Sequence, residues 1–453
     1  MSAVYYTVGV VVFVAAILAS IGLHELGHMI PAKKFGGKVT QYFIGFGPTV
    51  WSRQRGETEY GVKAIPLGGY VKIVGMLPPT VDGLADEVSY DSEGNKVVRV
   101  RKSNTGMFTQ LISDARAAEW EHVKPGDADR LFYKLAWWKK VIVMAGGPTV
   151  NILIAFVIFL AVFATYGSRE SVPDAGRPVV QEISKCLIPF VEEGRACRAT
   201  DPPTPALEAG LRPGDVIRSF NGTDVTSWNQ FRSLVRGNAA GKAVIVYERN
   251  GVTMTGTTNT TVQARPTSNT DLTLTQVGFL GVTPVSHVVI TRGGPIYTIE
   301  QMGGIAKATV QALAHLPVRV WGVAKAIVGL QERSPDSPVS IVGGGRIAGE
   351  TAAQADFPIA DKLVFLLMLV AGFNFFIGMF NFIPLLPLDG GHIAGALWEA
   401  VRRGVARLRG RPDPGYVDVA KLLPIAYAVA VVMLVMGVVL IVGDLVVPLH
   451  VTS

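Results

Sequence analysis

Charge is what this chain has least of. Asp, Glu, Lys and Arg make up 17% of its 453 residues, against about 25% in an ordinary soluble domain. With 49% hydrophobic residues, that shortage excludes a disordered chain and argues against a cytosolic enzyme. Cysteine is scarcer still. Cys186 and Cys197 are the whole supply, which excludes a disulfide-built scaffold and a Cys-based zinc ribbon. No basic block is interleaved with aromatics, and 42 Lys and Arg against 35 Asp and Glu leave only +7. Nucleic acid is therefore not an expected partner. Fifty glycines and 27 prolines follow no collagen period, and no internal repeat is evident.

The missing charge is concentrated. Val4–Leu23, Val141–Ser168, Leu363–Leu388 and Leu422–Gly443 carry no charged residue over 20, 28, 26 and 22 positions. A helix needs about 20 apolar residues to cross a bilayer, so each run reads as a transmembrane helix. Buried helices of a soluble protein would be amphipathic instead. Nothing basic precedes the first run, as a signal peptide would require.

Lys and Arg in short loops set orientation. Residues 31–136 hold 15 of them and residues 390–421 hold six, whereas residues 1–3 and 445–453 hold none. Both termini are thus expected outside and both basic loops in the cytoplasm. Residues 169–362 are then extracytoplasmic, and long translocated segments are largely exempt from the charge rule. Both cysteines fall in that outer segment, where an oxidising compartment and an even count favour a Cys186–Cys197 disulfide.

Between the apolar runs, residues 39–76 alternate like strands, with hairpin turns expected near Gly56 and Gly68-Gly69. Residues 77–136 form a charged cytoplasmic loop with one short amphipathic helix over Thr109 to Glu121. Residues 175–285 read as a small β-rich domain. Strands are expected at 178–183 and 243–248, a turn feeding a strand over Gly210 to Ile217, a turn at Asn221-Gly222, and a helix at Trp228 to Val235. A helical stretch near Ile305 to Leu330 follows, then a glycine-rich run over 339–348.

His24-Glu25-Leu26-Gly27-His28 is an HExxH motif placed on a helix. Its histidines lie one turn apart on one face and can grip one Zn²⁺, and Glu25 can serve as general base. With the 7 His and 17 Glu of this sequence, chance yields such a motif in roughly one of 250 such chains. Position sharpens it, because ionisable groups at the end of a hydrophobic helix are costly and default to function. A catalytic zinc needs a third protein ligand and an open position. Asp389 directly ends the third apolar run, by topology on the same side as His24 and His28. His392, past two glycines, is a rival, and Asp389 is preferred. Apart from Asp444 near the C-terminus, no other acid is embedded near an apolar run.

These residues resemble the site-2 proteases, intramembrane zinc metalloproteases, over nearly the whole chain. His24–His28 fits the first motif of that family. Asn381-Phe382-Ile383-Pro384-Leu385-Leu386-Pro387-Leu388-Asp389-Gly390 fits the second, with Asp389 as the implied third ligand. Ala145-Gly146-Gly147-Pro148-Thr149-Val150-Asn151 fits the Gly-Pro-and-Asn motif of the second core helix. The resemblance makes residues 39–76 a membrane-re-entrant β-element. It makes residues 175–285 one PDZ domain, marked most clearly by Ala209-Gly210-Leu211-Arg212-Pro213-Gly214-Asp215, with an insertion near Cys186 to Thr204. Where relatives often carry a further Asn this chain has Phe376, and Asn374 lies two residues away.

The expected architecture is a polytopic α-helical membrane protein. Its four transmembrane helices fall in 1–38, 137–168, 361–392 and 421–447. The re-entrant β-element and an inserted extracytoplasmic PDZ domain complete it, with 286–360 a linker carrying an amphipathic helix. The resemblance implies peptide-bond hydrolysis in a bacterial plasma membrane, with the active site toward the cytoplasm. Substrates would be pretrimmed single-pass proteins such as anti-sigma factors, delivered by an upstream site-1-type protease. Asn151 and Asn381 are candidate substrate-binding residues. Two other functions fit the composition. A PDZ-mediated binding protein with a structural metal would have no need of Glu25, and a metal transporter would show more intramembrane ligands and a repeat.

Overall fold

The computed structural model describes residues 2–78, 87–90, 96–99, 107–120, 123, 127, 129–190, 197–266, 274–334, 337–355 and 357–449. In chain order it runs α1 (Ser2–Lys34), β1 (Val39–Arg55), β2 (Thr58–Ile73), β3 (Glu87–Tyr90), β4 (Lys96–Arg99), α2 (Met107–Trp120) and α3 (Trp137–Thr165). There follow β5 (Ser168–Pro173), β6 (Val180–Ile183), α4 (Pro205–Glu208), β7 (Val216–Phe220), β8 (Thr223–Asp224), α5 (Trp228–Gly237), β9 (Lys242–Arg249) and β10 (Val252–Asn259). Next come β11 (Thr261–Pro266), β12 (Leu274–Phe279), β13 (Val282–Pro284) and β14 (Ser286–Thr291). The chain closes with α6 (Pro295–Ala314), α7 (Leu316–Ile327), α8 (Ile341–Ala353), α9 (Ile359–Asn381), α10 (Asp389–Leu408) and α11 (Leu423–Val446). Among the described residues four helical stretches are long and apolar enough to cross a membrane: 3–34, 137–165, 359–381 and 419–446. Two compact units divide the chain.

The first unit comprises residues 1–158 and 344–438. Its helices meet through small residues. A β-carbon on Gly27 of α1 would lie 2.5 Å from Gly146 O of α3, so the two backbones touch there. Small residues permit such approach where lipid supplies no hydrophobic drive between helices. Phe13 of α1 packs edge-on against Phe373 of α9, with centroids 5.4 Å apart.

β1 and β2 form one ribbon folded on itself. Its turn lies at Gly56, which has positive φ. Gln41 stands opposite both Glu59 and Lys72, and Ile44 opposite both Val62 and Gly69. Residues 41–44 are therefore flanked on both sides. The second hairpin turn expected at Gly68-Gly69 is not found. Both glycines lie within β2, where the strand passes from one side of β1 to the other.

The third apolar run also differs from expectation. A single helix does not carry through to residue 392. α9 ends at Asn381, residues 382–388 are non-helical, and Asp389 opens α10. Pro384 and Pro387 account for the break, since proline lacks the amide hydrogen and constrains the residue before it. The amphipathic helix in 77–136 is α2, and Glu121 of its expected range lies outside the described residues.

The second unit comprises residues 159–343 and 439–453. A four-stranded sheet in the order β10-β9-β7-β8 is its centre. Ile217, Phe220, Phe231, Ile245 and Tyr247 are buried together there. Ser227 caps α5 by accepting from Gln230 N, a satisfied orphan donor of the first turn. Asp215, wholly buried, accepts from Arg212 N at 2.7 Å and from the Arg249 guanidinium. That pairing fixes the turn from Arg212 to Asp215, which Asp215 N closes on Arg212 O at 3.2 Å. Cys186 and Cys197 are disulfide-bonded, with Cα atoms 6.0 Å apart; between them, residues 191–196 lie outside the described residues.

The helix expected over 305–330 begins earlier and is two helices. α6 and α7 are separated at His315, two residues before Pro317. The glycine-rich run after them belongs largely to α8, because its small faces pack closely. A β-carbon on Gly343 would lie 2.5 Å from Asp444 Oδ2.

Candidate metal centre

His24 and His28 project from the last turns of α1. One helical turn separates them, and their Nε2 atoms stand 3.2 Å apart. α10 brings Asp389 to the same point: its Oδ2 lies 3.4 Å from His24 Nε2 and 3.3 Å from His28 Nε2. Among the described residues these three form the one group of His, Cys, Asp and Glu with converging ligand atoms, and His392 is outside it.

The spacing tests whether a metal fits. Tetrahedral zinc ligands bonded at about 2.0–2.1 Å stand about 3.3–3.4 Å from one another. The three separations here are 3.2, 3.4 and 3.3 Å. Two nitrogens and one carboxylate oxygen are zinc donors, and three protein ligands leave a fourth position open. The residues present therefore fit Zn²⁺.

α3 forms a second wall. His28 Nδ1 donates to Val143 O at 2.8 Å, which leaves His28 Nε2 its lone pair. Asn151 Nδ2 lies 3.2 Å from His24 Nδ1. A β-carbon on Gly147 would stand 2.3 Å from His28 Nε2 and 2.7 Å from His24 Nε2. Any other residue at 147 would invade the centre.

Glu25, rotated about 100° around α1 from His24, is outside the ligand group and faces the β-ribbon. A β-carbon on Gly69 of β2 would lie 3.0 Å from Glu25 Cγ. Tyr42 of β1 donates to Gly22 O of α1 at 2.8 Å. The ribbon thus packs on the turn of α1 that carries the motif.

The remaining candidates separate. Asn381 is the last residue of α9, and among the described residues no hydrogen bond joins it to the cluster. Asn374 is fully buried and donates to Ser20 Oγ of α1 at 3.0 Å and to Val370 O. Asp444 is spent elsewhere, accepting from Arg333 at 2.7 Å and from Ser340 N at 2.7 Å.

Three supporting groups escaped the sequence reading. Val143 O is a backbone group and leaves no mark on sequence. Gly147 was visible only as part of the Gly-Gly-Pro phrase. Lys140 of α3 and Glu399 of α10 form a buried ion pair at 2.7 Å, with Arg403 3.2 Å from the same carboxylate. That pair ties the foot of α3 to the helix Asp389 opens. Spacing of lone charges in sequence does not reveal such a partner.

Comparison with known proteins agrees with this geometry. The model of peptidase family M50 matches residues 12–423. The chain is 34% identical to the zinc metalloprotease Rip1 of Mycobacterium tuberculosis, over 98% of this chain and 99% of the relative. It is 32% identical to Rip1 of Mycolicibacterium smegmatis over the same shares. The zinc metalloprotease RasP of Bacillus licheniformis is 25% identical over 87% of this chain and 90% of its own. A family match across most of the chain, with relatives aligned almost end to end and a site of matching chemistry, means that the chain belongs to peptidase family M50, the site-2 proteases.

Proposed function

We propose that this protein is a zinc endopeptidase that cuts a peptide bond within or near a transmembrane segment. His24, His28 and Asp389 hold the metal. Zn²⁺, when bound, supplies Lewis-acid polarisation of the scissile carbonyl and eases deprotonation of water. Glu25 takes the proton from the attacking water and returns it to the leaving amine. The observation that carries this reading is the mutual spacing of the three ligand atoms with Glu25 on the adjoining face.

A helical substrate shields its own peptide bonds, so it must unwind to be cut. Residues 69–73 support this step. They are the outer segment of the β-ribbon, and Gly69 sits on Glu25. An extended substrate can add to that edge as a strand, in the manner of a re-entrant element at membrane depth. Asn381, at the end of the helix preceding Asp389, would help hold it.

The substrates in this reading are pretrimmed single-pass membrane proteins such as anti-sigma factors, released by an upstream site-1-type protease. The enzyme is multi-pass in a bacterial plasma membrane, with both termini outside and the centre toward the cytoplasm. The charge distribution of the loops supports this orientation. The module of residues 175–285 acts as a PDZ domain that excludes substrates still carrying a bulky external domain, a repulsive route to selectivity.

The test is Glu25→Gln in the full-length protein, assayed on one substrate with and without its external domain. Zinc content should be retained while cleavage of the trimmed substrate falls on the order of 10²–10⁴-fold. Normal turnover with zinc present would falsify the base assignment. Equal cleavage of both substrate forms by the parent enzyme would remove the filter.

A further inference from the structure

Both histidines present Nε2 to the cluster. A neutral imidazole that offers Nε2 as a ligand carries its hydrogen on Nδ1, and the group behind Nδ1 decides that tautomer. For His28 the group is Val143 O, 2.8 Å away. For His24 it is Asn151, about two turns further along the same helix, with Nδ2 at 3.2 Å from Nδ1. Asn151 is 2% exposed, and its Oδ1 is buried without a hydrogen-bond partner among the described residues.

The two ends of an amide match in shape and differ in chemistry: one donates, the other accepts. An Nδ2 donor facing His24 needs a bare Nδ1. The imidazole hydrogen then sits on Nε2 and points at Asp389 Oδ2, which closes His24 as a metal ligand. A half-turn of the amide places Oδ1 on an Nδ1 hydrogen instead. That arrangement pairs the orphaned oxygen, gives His24 the tautomer of His28, and frees both Nε2 lone pairs together.

We propose that Asn151 is a positioning residue, whose side-chain oxygen accepts the Nδ1 hydrogen of His24 and fixes that ring as an Nε2 ligand. This role rests on the zinc reading of the cluster and differs from contact with substrate. α3 then supplies the support behind both rings, through one backbone carbonyl and one side-chain carbonyl. Such outer partners raise ligand basicity and hold ring orientation, and their loss typically weakens metal binding on the order of 10–100-fold.

The experiment measures zinc affinity by chelator competition in the full-length protein in lipid nanodiscs, alongside cleavage at saturating zinc. Asn151→Ala should lower affinity on the order of 10–100-fold, while KM at saturating zinc stays at the parent value. Asn151→Asp keeps an acceptor and has no donor, so it should hold zinc nearly as the parent does. In zinc-loaded parent protein labelled with ¹⁵N-histidine, the Nδ1 protons of His24 and His28 should both be protected from solvent exchange. That arm requires no substitution to fold. Equal zinc affinity in parent and Asn151→Ala, with KM or kcat altered, would overturn this role and restore a substrate contact. A freely exchanging His24 Nδ1 proton beside a protected His28 proton would also overturn it. A parent protein that takes no zinc would overturn the reading of the cluster and this role with it.

Discussion

The two units differ in where their large apolar side chains can stand exposed and in how many polar groups they bury. Around the four-stranded sheet of the β-rich unit, large apolar side chains are inside: Ile217, Phe220, Phe231 and Ile245 are at most 2% exposed. In the helical unit Val431, Val432, Leu434 and Val435 of α11 all face outward, while Ser20, His28, Lys140, Asn151, Asn374 and Glu399 are buried. One chain thus carries a water-solvated core and a lipid-solvated one. Where lipid is the solvent, burying Leu or Val gains little, and association rests on close packing and paired polar groups. That also accounts for the converging ligand atoms of His24, His28 and Asp389 in the second kind of interior. Polar groups there must be paired, and a paired polar network holds ligands in place.

The comparison breaks most sharply at its two anchors. Phe231→Ala should cost about 3–5 kcal/mol through the cavity it leaves in the β-rich unit. Lys140→Met should cost less, about 1–3 kcal/mol, because buried Glu399 loses its 2.7 Å partner and keeps Arg403 at 3.2 Å. The two losses differ in rescue. Adding Glu399→Leu to Lys140→Met should recover most of the loss, since a buried ion pair often yields to apolar residues of similar volume. Thermal melting of the full chain in detergent, with protease protection of each unit, reads both. A double variant no more stable than Lys140→Met would show that the pair is more than a stranded-charge problem.

An effect smaller than that of Phe231→Ala belongs to the β-rich unit alone. Replacing Cys186 and Cys197 by Ser should cost about 3 kcal/mol by releasing a short closed loop. The loss should appear in melting of that unit and leave the zinc content of the other unchanged. Zinc loss in the double-serine protein would contradict the independence of the two interiors.

The smallest expected effect is a surface one in the helical unit. Arg130 grips Glu57 through two bonds of 2.7 Å and holds its carboxyl below the usual range. A depressed carboxyl stabilises the fold above the unfolded value, about 4.3, and loses that contribution as pH falls through the lower folded value. Glu57→Gln should remove that acid sensitivity and cost under about 1 kcal/mol near neutral pH, because the pair is exposed. Melting curves of parent and variant that stay parallel from neutral to acid pH would remove the linkage.

Much of this molecule was legible in order of residues. Four charge-free runs announced four long apolar helices, because a bilayer dictates length and composition together. HExxH announced a two-histidine grip, because helical spacing alone puts residues one turn apart on one face. The turn at Asn221-Gly222, the strand over 242–249 and the helix from Trp228 followed from local chemistry. Local rules misled at Gly68-Gly69, where glycines read as a turn serve a strand crossing.

What the order of residues could not decide was which distant groups meet. Sequence preferred Asp389 to His392; the break at 382–388 and the entry of α10 bring Asp389 to the histidines and leave His392 outside the group. Sequence offered Asn151 as a substrate-binding candidate; only the approach of α3 through Gly27 and Gly146 sets it behind His24. Val143 O, Gly147 and the Lys140–Glu399 pair had no sequence signal of their own. The physical reason is common to all of them. Periodicity and turn chemistry act between residues near in the chain, whereas a metal centre is held by contacts across helices, and those exist only once backbones have packed.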